Sequence, residues 1–121
     1  MVADETATET EMDAGPAAEL LRSGGAEAID VRRPDEWDAG RIEGARHIEV
    51  NALTSEAESI PRDRPVIFYC RSGSRSALAA AAFRQAGWDA YNLAGGLRAW
   101  VEEGLPLEPA DGEVAEPQAG S

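Results

Sequence analysis

The sequence predicts a small α/β domain whose central, mostly parallel sheet is flanked by helices on both faces. Three observations carry this reading. Short apolar runs alternate along the chain with alanine- and leucine-bearing helical stretches, the order that a parallel sheet with crossover helices requires. Glycine stands at the junctions, at Gly24-Gly25, Gly40, Gly87, Gly95-Gly96 and Gly104, where helices stop and turns tighten. The length of 121 residues suits one compact domain that needs neither disulfides nor a metal to hold it together.

The elements follow in order. Pro16–Leu21 reads as a short helix with proline in its first turn. Ala26–Val31 is an apolar run that then meets charge, as a buried strand does. Pro34 opens a second short helix through Trp37, and His47–Val50 forms a brief strand. Leu53–Ser59 gives a helical turn or two. Val66-Ile67-Phe68-Tyr69, β-branched and aromatic after Pro65, is the clearest strand. A polar loop, Cys70–Ser74, leads into an alanine-rich helix over Arg75–Ala86, with Gly87 as its left-handed cap. Ala90–Leu93 is a strand, and Leu97–Glu103 a last helix closed by Gly104.

Charge divides the chain. Of 23 acids and 11 basic residues, all 11 of them arginine, residues 1–13 hold five acids and residues 109–121 hold three, with no base in either. Both ends lack a periodic apolar pattern and read as disordered acidic tails around a folded body of residues 14–108. The net charge of −12 argues against nucleic acid or an anionic membrane as partner. The acidity fits either salt adaptation or a lysine-poor composition with solubilising ends. The start of the chain has no basic, then apolar, signal pattern, and the longest apolar run, Ala77–Phe83, is too short to span a bilayer. The lone cysteine fits a reducing cytoplasm. No cofactor is implied, and no Cys, His or carboxylate cluster has metal-ligand spacing.

The chemistry concentrates in Tyr69-Cys70-Arg71-Ser72-Gly73-Ser74-Arg75-Ser76. Ligands of open α/β sheets bind beyond the carboxyl ends of strands, which is where Cys70 falls. A strand, a short polar loop and a helix N-terminus surround its sulfur with backbone N–H donors and the positive end of a helix dipole. That environment favours a thiolate. Arg71 and Arg75 add positive charge, Gly73 allows the bend, and Ser72, Ser74 and Ser76 supply hydroxyls, with Ser74 also placed to cap the helix. An ordinary buried cysteine at a strand end is the plainer reading, but it leaves two arginines, three serines and a glycine unexplained. Asp30 and Arg32 read as a structural tie, His47 as a turn residue rather than a base, and Trp37, Trp88 and Trp100 as packing.

With those residues in view, the chain resembles the rhodanese-like domains. Asp30-Val31-Arg32, Glu36-Trp37 and Gly40–Ile48 are similar to the family's N-terminal signature, Tyr69–Ser76 to its active-site loop, and Asn92–Trp100 to its C-terminal signature. Arg41 and Glu43 depart from the family pattern, where histidine and proline are more frequent. The resemblance implies a sulfurtransferase that moves sulfur from a small donor anion such as thiosulfate, through a Cys70 persulfide, to an external thiol or thiolation protein. Cys70 is then catalytic, and Arg71, Ser72, Gly73, Ser74, Arg75 and Ser76 bind substrate. Phosphatase relatives carry arginine six positions after the cysteine, whereas Arg75 lies five positions on. A small cysteine phosphatase or arsenate-type reductase, and a rhodanese-fold interaction module with an idle thiol, are the alternatives.

Overall fold

A computed structural model describes residues 10–115. Five strands form one sheet: β1 (Glu11–Met12), β2 (Glu27–Asp30), β3 (Arg46–His47), β4 (Val66–Tyr69) and β5 (Ala90–Leu93), in the order β1-β5-β4-β2-β3. Every neighbouring pair is parallel. The helices are α1 (Ala14–Arg22), α2 (Pro34–Ala39), α3 (Leu53–Glu56), α4 (Ser74–Gln85) and α5 (Gly96–Glu102), with 3-10 turns at Val50–Ala52 and Ala57–Ser59 on either side of α3. The α/β class and the parallel sheet are as the alternating pattern predicts.

Strand β4 is central, and the two-residue period of its side chains builds both halves of the core. Val66, Phe68 and Cys70 join Ile29, Val31, Phe83 and Trp88 in one cluster, against α3 and α4. Ile67 and Tyr69 join Ala17, Leu93, Leu97 and Trp100 in the other, against α1 and α5. Both faces are covered, which is why β4 reads as an unbroken apolar run instead of an alternating one. Each such side chain contributes about 1.5–3 kcal/mol by leaving water. The tryptophans pack as expected: Trp88 stacks edge-on to Phe83 and its Nε1–H donates to Ile60 O (3.1 Å), and Trp100 Nε1–H donates to Pro106 O (2.8 Å).

The expected tails are shorter than the acidic composition suggests. Residues 11–12 form an edge strand: Asn92 N–H donates to Thr10 O (2.7 Å) and Ala94 N–H to Met12 O (2.9 Å). At the other end Arg41 and Glu108 exchange backbone hydrogen bonds, Glu113 N–H donates to Ala39 O (2.9 Å), and Val114 packs on the core. Residues 10–13 and 109–115 thus belong to the domain. Acidic composition hides this because backbone pairing, with only Met12 and Val114 packed on the core, holds these segments. The rest of both expected tails lies outside the described residues. Val50, expected to end a strand, instead opens a 3-10 turn.

Candidate active site

Cys70 follows directly on β4 and is fully buried. The loop Arg71–Gly73 then reverses direction, with Gly73 at φ +104°, a conformation that favours glycine. That turn aims the start of α4 back at the sulfur. Gly73 N–H donates to Cys70 Sγ (3.1 Å), and Ser76 Oγ lies 3.4 Å from it. Burial pushes the thiol up. The Ser76 hydroxyl and the backbone N–H groups of Ser76, Gly73 and Arg75 outweigh that and bring it below its ordinary value. The thiolate is stabilised here mainly by hydrogen bonds at a helix N-terminus.

The remaining loop residues divide by role. Ser72 and Ser74 are exposed, and with Arg71 and Arg75 they form one wall of a cleft of about 540 Å³, faced by Arg33, Glu36, Val50 and Asn51. Ser74 is not the expected cap: the N-cap position belongs to Gly73 and no side chain bonds there. Arg71 Nε–H donates to Ala115 O (3.1 Å), joining the loop to the C-terminal segment. Arg75 points its guanidinium at Glu36, with Nη1 and Nη2 each 3.1 Å from a carboxylate oxygen. The fork geometry makes this a bidentate ion pair. The positive charge expected beside the sulfur is thus held in an ion pair with Glu36, from which it still acts on Cys70 electrostatically.

Residues that the sequence treats as signatures acquire physical roles. Glu36 is buried; desolvation pushes its carboxyl up, but Arg75 and the Arg33 N–H (3.1 Å) hold it below the usual range. Asn92, a polar residue in an apolar strand, reaches Ser76 Oγ with its Oδ1 at 2.5 Å. Gly96, at φ +63°, lets α5 approach the loop so closely that Leu97 N–H donates to Cys70 O (2.8 Å) and Arg98 N–H to Arg71 O (3.1 Å). A polar position inside an apolar strand is the signal that could have singled out Asn92. Glu36 carries a weaker one, an acid closing the first turn of a proline-led helix.

The other candidates stand away from the chemistry. Asp30 and Arg32 form a fully buried ion pair (2.7 Å), and Arg32 Nη2 also donates to Gly40 O (2.7 Å). His47 Nε2–H donates to Arg32 O (2.7 Å) while its ring stacks on Trp37, so it is tied up and not among the partners of the sulfur. A more apolar hollow of about 320 Å³, lined by Leu21, Ile42, Trp100 and Leu105, has no cysteine, serine or histidine in its wall. Among the described residues no group of three or more His, Cys, Asp or Glu is placed to hold a metal, and no helix is long and apolar enough to cross a membrane.

Comparison with known proteins agrees with this geometry. A sulfurtransferase of Allochromatium vinosum is 39% identical over 69% of this chain and 79% of its own. The thiosulfate sulfurtransferase GlpE of Pseudomonas aeruginosa is 35% identical over 80% of this chain and 88% of its own. A rhodanese-related protein of Thermoplasma volcanium superposes with a TM-score of 0.75 at 29% identity, over 80% of this chain and 95% of that one. A protein of unknown function from Rhodopseudomonas palustris, described as a possible tyrosine phosphatase, also superposes (TM-score 0.72, 29% identity, 87% and 89% covered). The family model for the rhodanese-like domain matches residues 13–103. A buried cysteine closing a central parallel strand, ringed by the N–H groups of a following helix, thus sits in a chain that belongs to the rhodanese-like domain family.

Proposed function

We propose that the protein is a sulfurtransferase that carries sulfane sulfur as a persulfide on Cys70. The observation that supports this most is the Sγ atom itself, buried at the N-terminus of α4 and bonded to Gly73 N–H at 3.1 Å. The Cys70 thiolate attacks the outer sulfur of a small donor anion such as thiosulfate. A new S–S bond forms, the S–S bond of thiosulfate breaks, and sulfite leaves with the electron pair. The terminal sulfur of Cys70–S–S⁻ then faces the loop donors. An acceptor thiolate attacks that sulfur, the Cys70 S–S bond breaks, and the Cys70 thiolate is regenerated as leaving group. The acceptor must come from outside, a small thiol or a thiolation protein, because the chain has one cysteine. Such acceptors stay reduced in the cytoplasm, where we place the reaction.

Incubation with thiosulfate should add one sulfur atom to the mass of the intact protein, and cyanide should remove it as thiocyanate. Cys70→Ser should neither gain sulfur nor turn over; turnover in that variant would refute the assignment of the nucleophile. The Rhodopseudomonas relative keeps a phosphatase reading in play. Against it stands Arg75, whose fork is held by Glu36 instead of being open to three phosphoryl oxygens. Cys70-dependent hydrolysis of p-nitrophenyl phosphate exceeding sulfur transfer would favour the phosphatase. Absence of both activities would favour an interaction module.

A further inference from the structure

Glu11 lies on the edge strand β1, outside residues 13–103, yet it ends a chain of contacts that begins at the reactive sulfur. Its two carboxylate oxygens are 3.0 and 3.1 Å from Asn92 Nδ2. A carboxylate only accepts, so the amide must turn its NH2 toward Glu11 and its Oδ1 away, toward Ser76 Oγ at 2.5 Å. Oδ1 also only accepts, so Ser76 must donate. A hydroxyl has one proton, and the other neighbour of Ser76 Oγ is Cys70 Sγ at 3.4 Å. Sulfur and amide therefore compete for that proton.

We propose that Glu11 is a positioning residue for Cys70: by fixing the Asn92 amide, it draws the single proton of Ser76 toward Asn92 and leaves the sulfur facing a lone pair. The Cys70 S–H donates into that lone pair, completing a run of hydrogen bonds from sulfur to Ser76 to Asn92. On ionisation Ser76 must swing its proton to the sulfur, and Oγ and Oδ1 are left as two acceptors face to face. Glu11 thus opposes the backbone donors that favour the thiolate. Nucleophilicity falls as a thiol becomes more acidic, so this restraint keeps the sulfur a strong attacker. The proposal rests on Cys70 being the reactive thiol, but its test reads ionisation, not sulfur transfer, so either can fail alone.

The chain has one cysteine, so thiolate absorbance and iodoacetamide alkylation against pH both report Cys70. Arg71, Arg75, Glu36, Asp30, Arg32 and Arg98, like the remaining charged groups on the elements around the sulfur, among them Glu27, Arg84 and Glu102, are unchanged in every variant. In Glu11→Ala the amide is free to invert and donate to Ser76, which then gives its proton to the sulfur. The titration midpoint should fall by about half to one pH unit, a roughly three- to tenfold gain in thiolate at pH values below it. Glu11→Gln, whose Oε1 still accepts from Asn92, should stay close to the natural protein. In a Ser76→Ala background, Glu11→Ala should have no effect. Strand β1 is held by backbone bonds to Asn92 and Ala94. Unfolding cannot mimic the result, because an exposed thiol titrates higher, at about 8.5. An unchanged or raised midpoint in Glu11→Ala, an equal fall in Glu11→Gln, or a fall that persists without Ser76 would each overturn the proposal.

Discussion

Replacing Gly96 by alanine should cost about 3–4 kcal/mol, because three penalties meet at one atom. The new Cβ would lie 2.6 Å from both the Cys70 and the Arg71 carbonyl oxygens, whereas such carbon–oxygen contacts normally settle at about 3.3–3.6 Å. The residue sits at φ +63°, a left-handed conformation that costs an L-residue about 1–2 kcal/mol. The clash is relieved only if the first turn of α5 withdraws. That breaks the Leu97 and Arg98 N–H bonds to the loop carbonyls, each worth about 1 kcal/mol. Gly24 isolates the backbone contribution: it stands at φ +78° with nothing within 4 Å of where a Cβ would stand, so Gly24→Ala should lose only about 1–2 kcal/mol, the cost of the left-handed conformation. Urea unfolding of both variants measures the difference. The alkylation midpoint of Cys70 should rise in Gly96→Ala alone, since the loop loses its anchor. Equal stability losses in the two variants would refute the argument that close approach of α5 holds the active-site loop.

Two further outcomes follow from the same structure. The Cys70 thiol is lowered in the folded protein, so the stability it adds is complete above the unfolded value of about 8.5 and is lost as pH falls through the folded value. The melting-temperature advantage over Cys70→Ser should therefore grow between neutral pH and about 8.5, and a constant or shrinking difference would contradict the sign. Deleting residues 1–13 should strip the Asn92 and Ala94 N–H groups of their partners, at about 1 kcal/mol each; an unchanged urea midpoint would show that β1 adds nothing.

What the sequence reveals tracks how local each interaction is. The strand Val66–Tyr69, the loop after it and the helix beginning at Ser74 are contiguous, so their composition alone announces a cysteine at a helix N-terminus. The family signatures around Glu36 and Asn92 are visible as patterns, but their partners Arg75 and Ser76 lie 39 and 16 positions away, and only the fold brings them together. The charge of Arg75 is legible for that reason while its partner is not: Glu36 belongs to a helix far away along the chain. Glu11 is hidden more deeply, paired with Asn92 across 81 positions from within a stretch whose acidity looks like a solvated end. Backbone pairing leaves no mark on composition, and two-residue strands are too short to show a period.

Those two-residue strands, Glu11–Met12 and Arg46–His47, are the outer members of the sheet. A long bare edge is a template on which a second copy can add its own strand. Among the described residues each rim offers only a two-residue strand, set beside a charged side chain. Arg46 at one rim is held by Glu27, Glu56 and Ser59, and Glu11 stands at the other. The sheet is therefore poorly suited to grow sideways into fibrils or strand-exchanged pairs at high concentration. Lengthening either rim with β-branched residues is the change that would remove that protection.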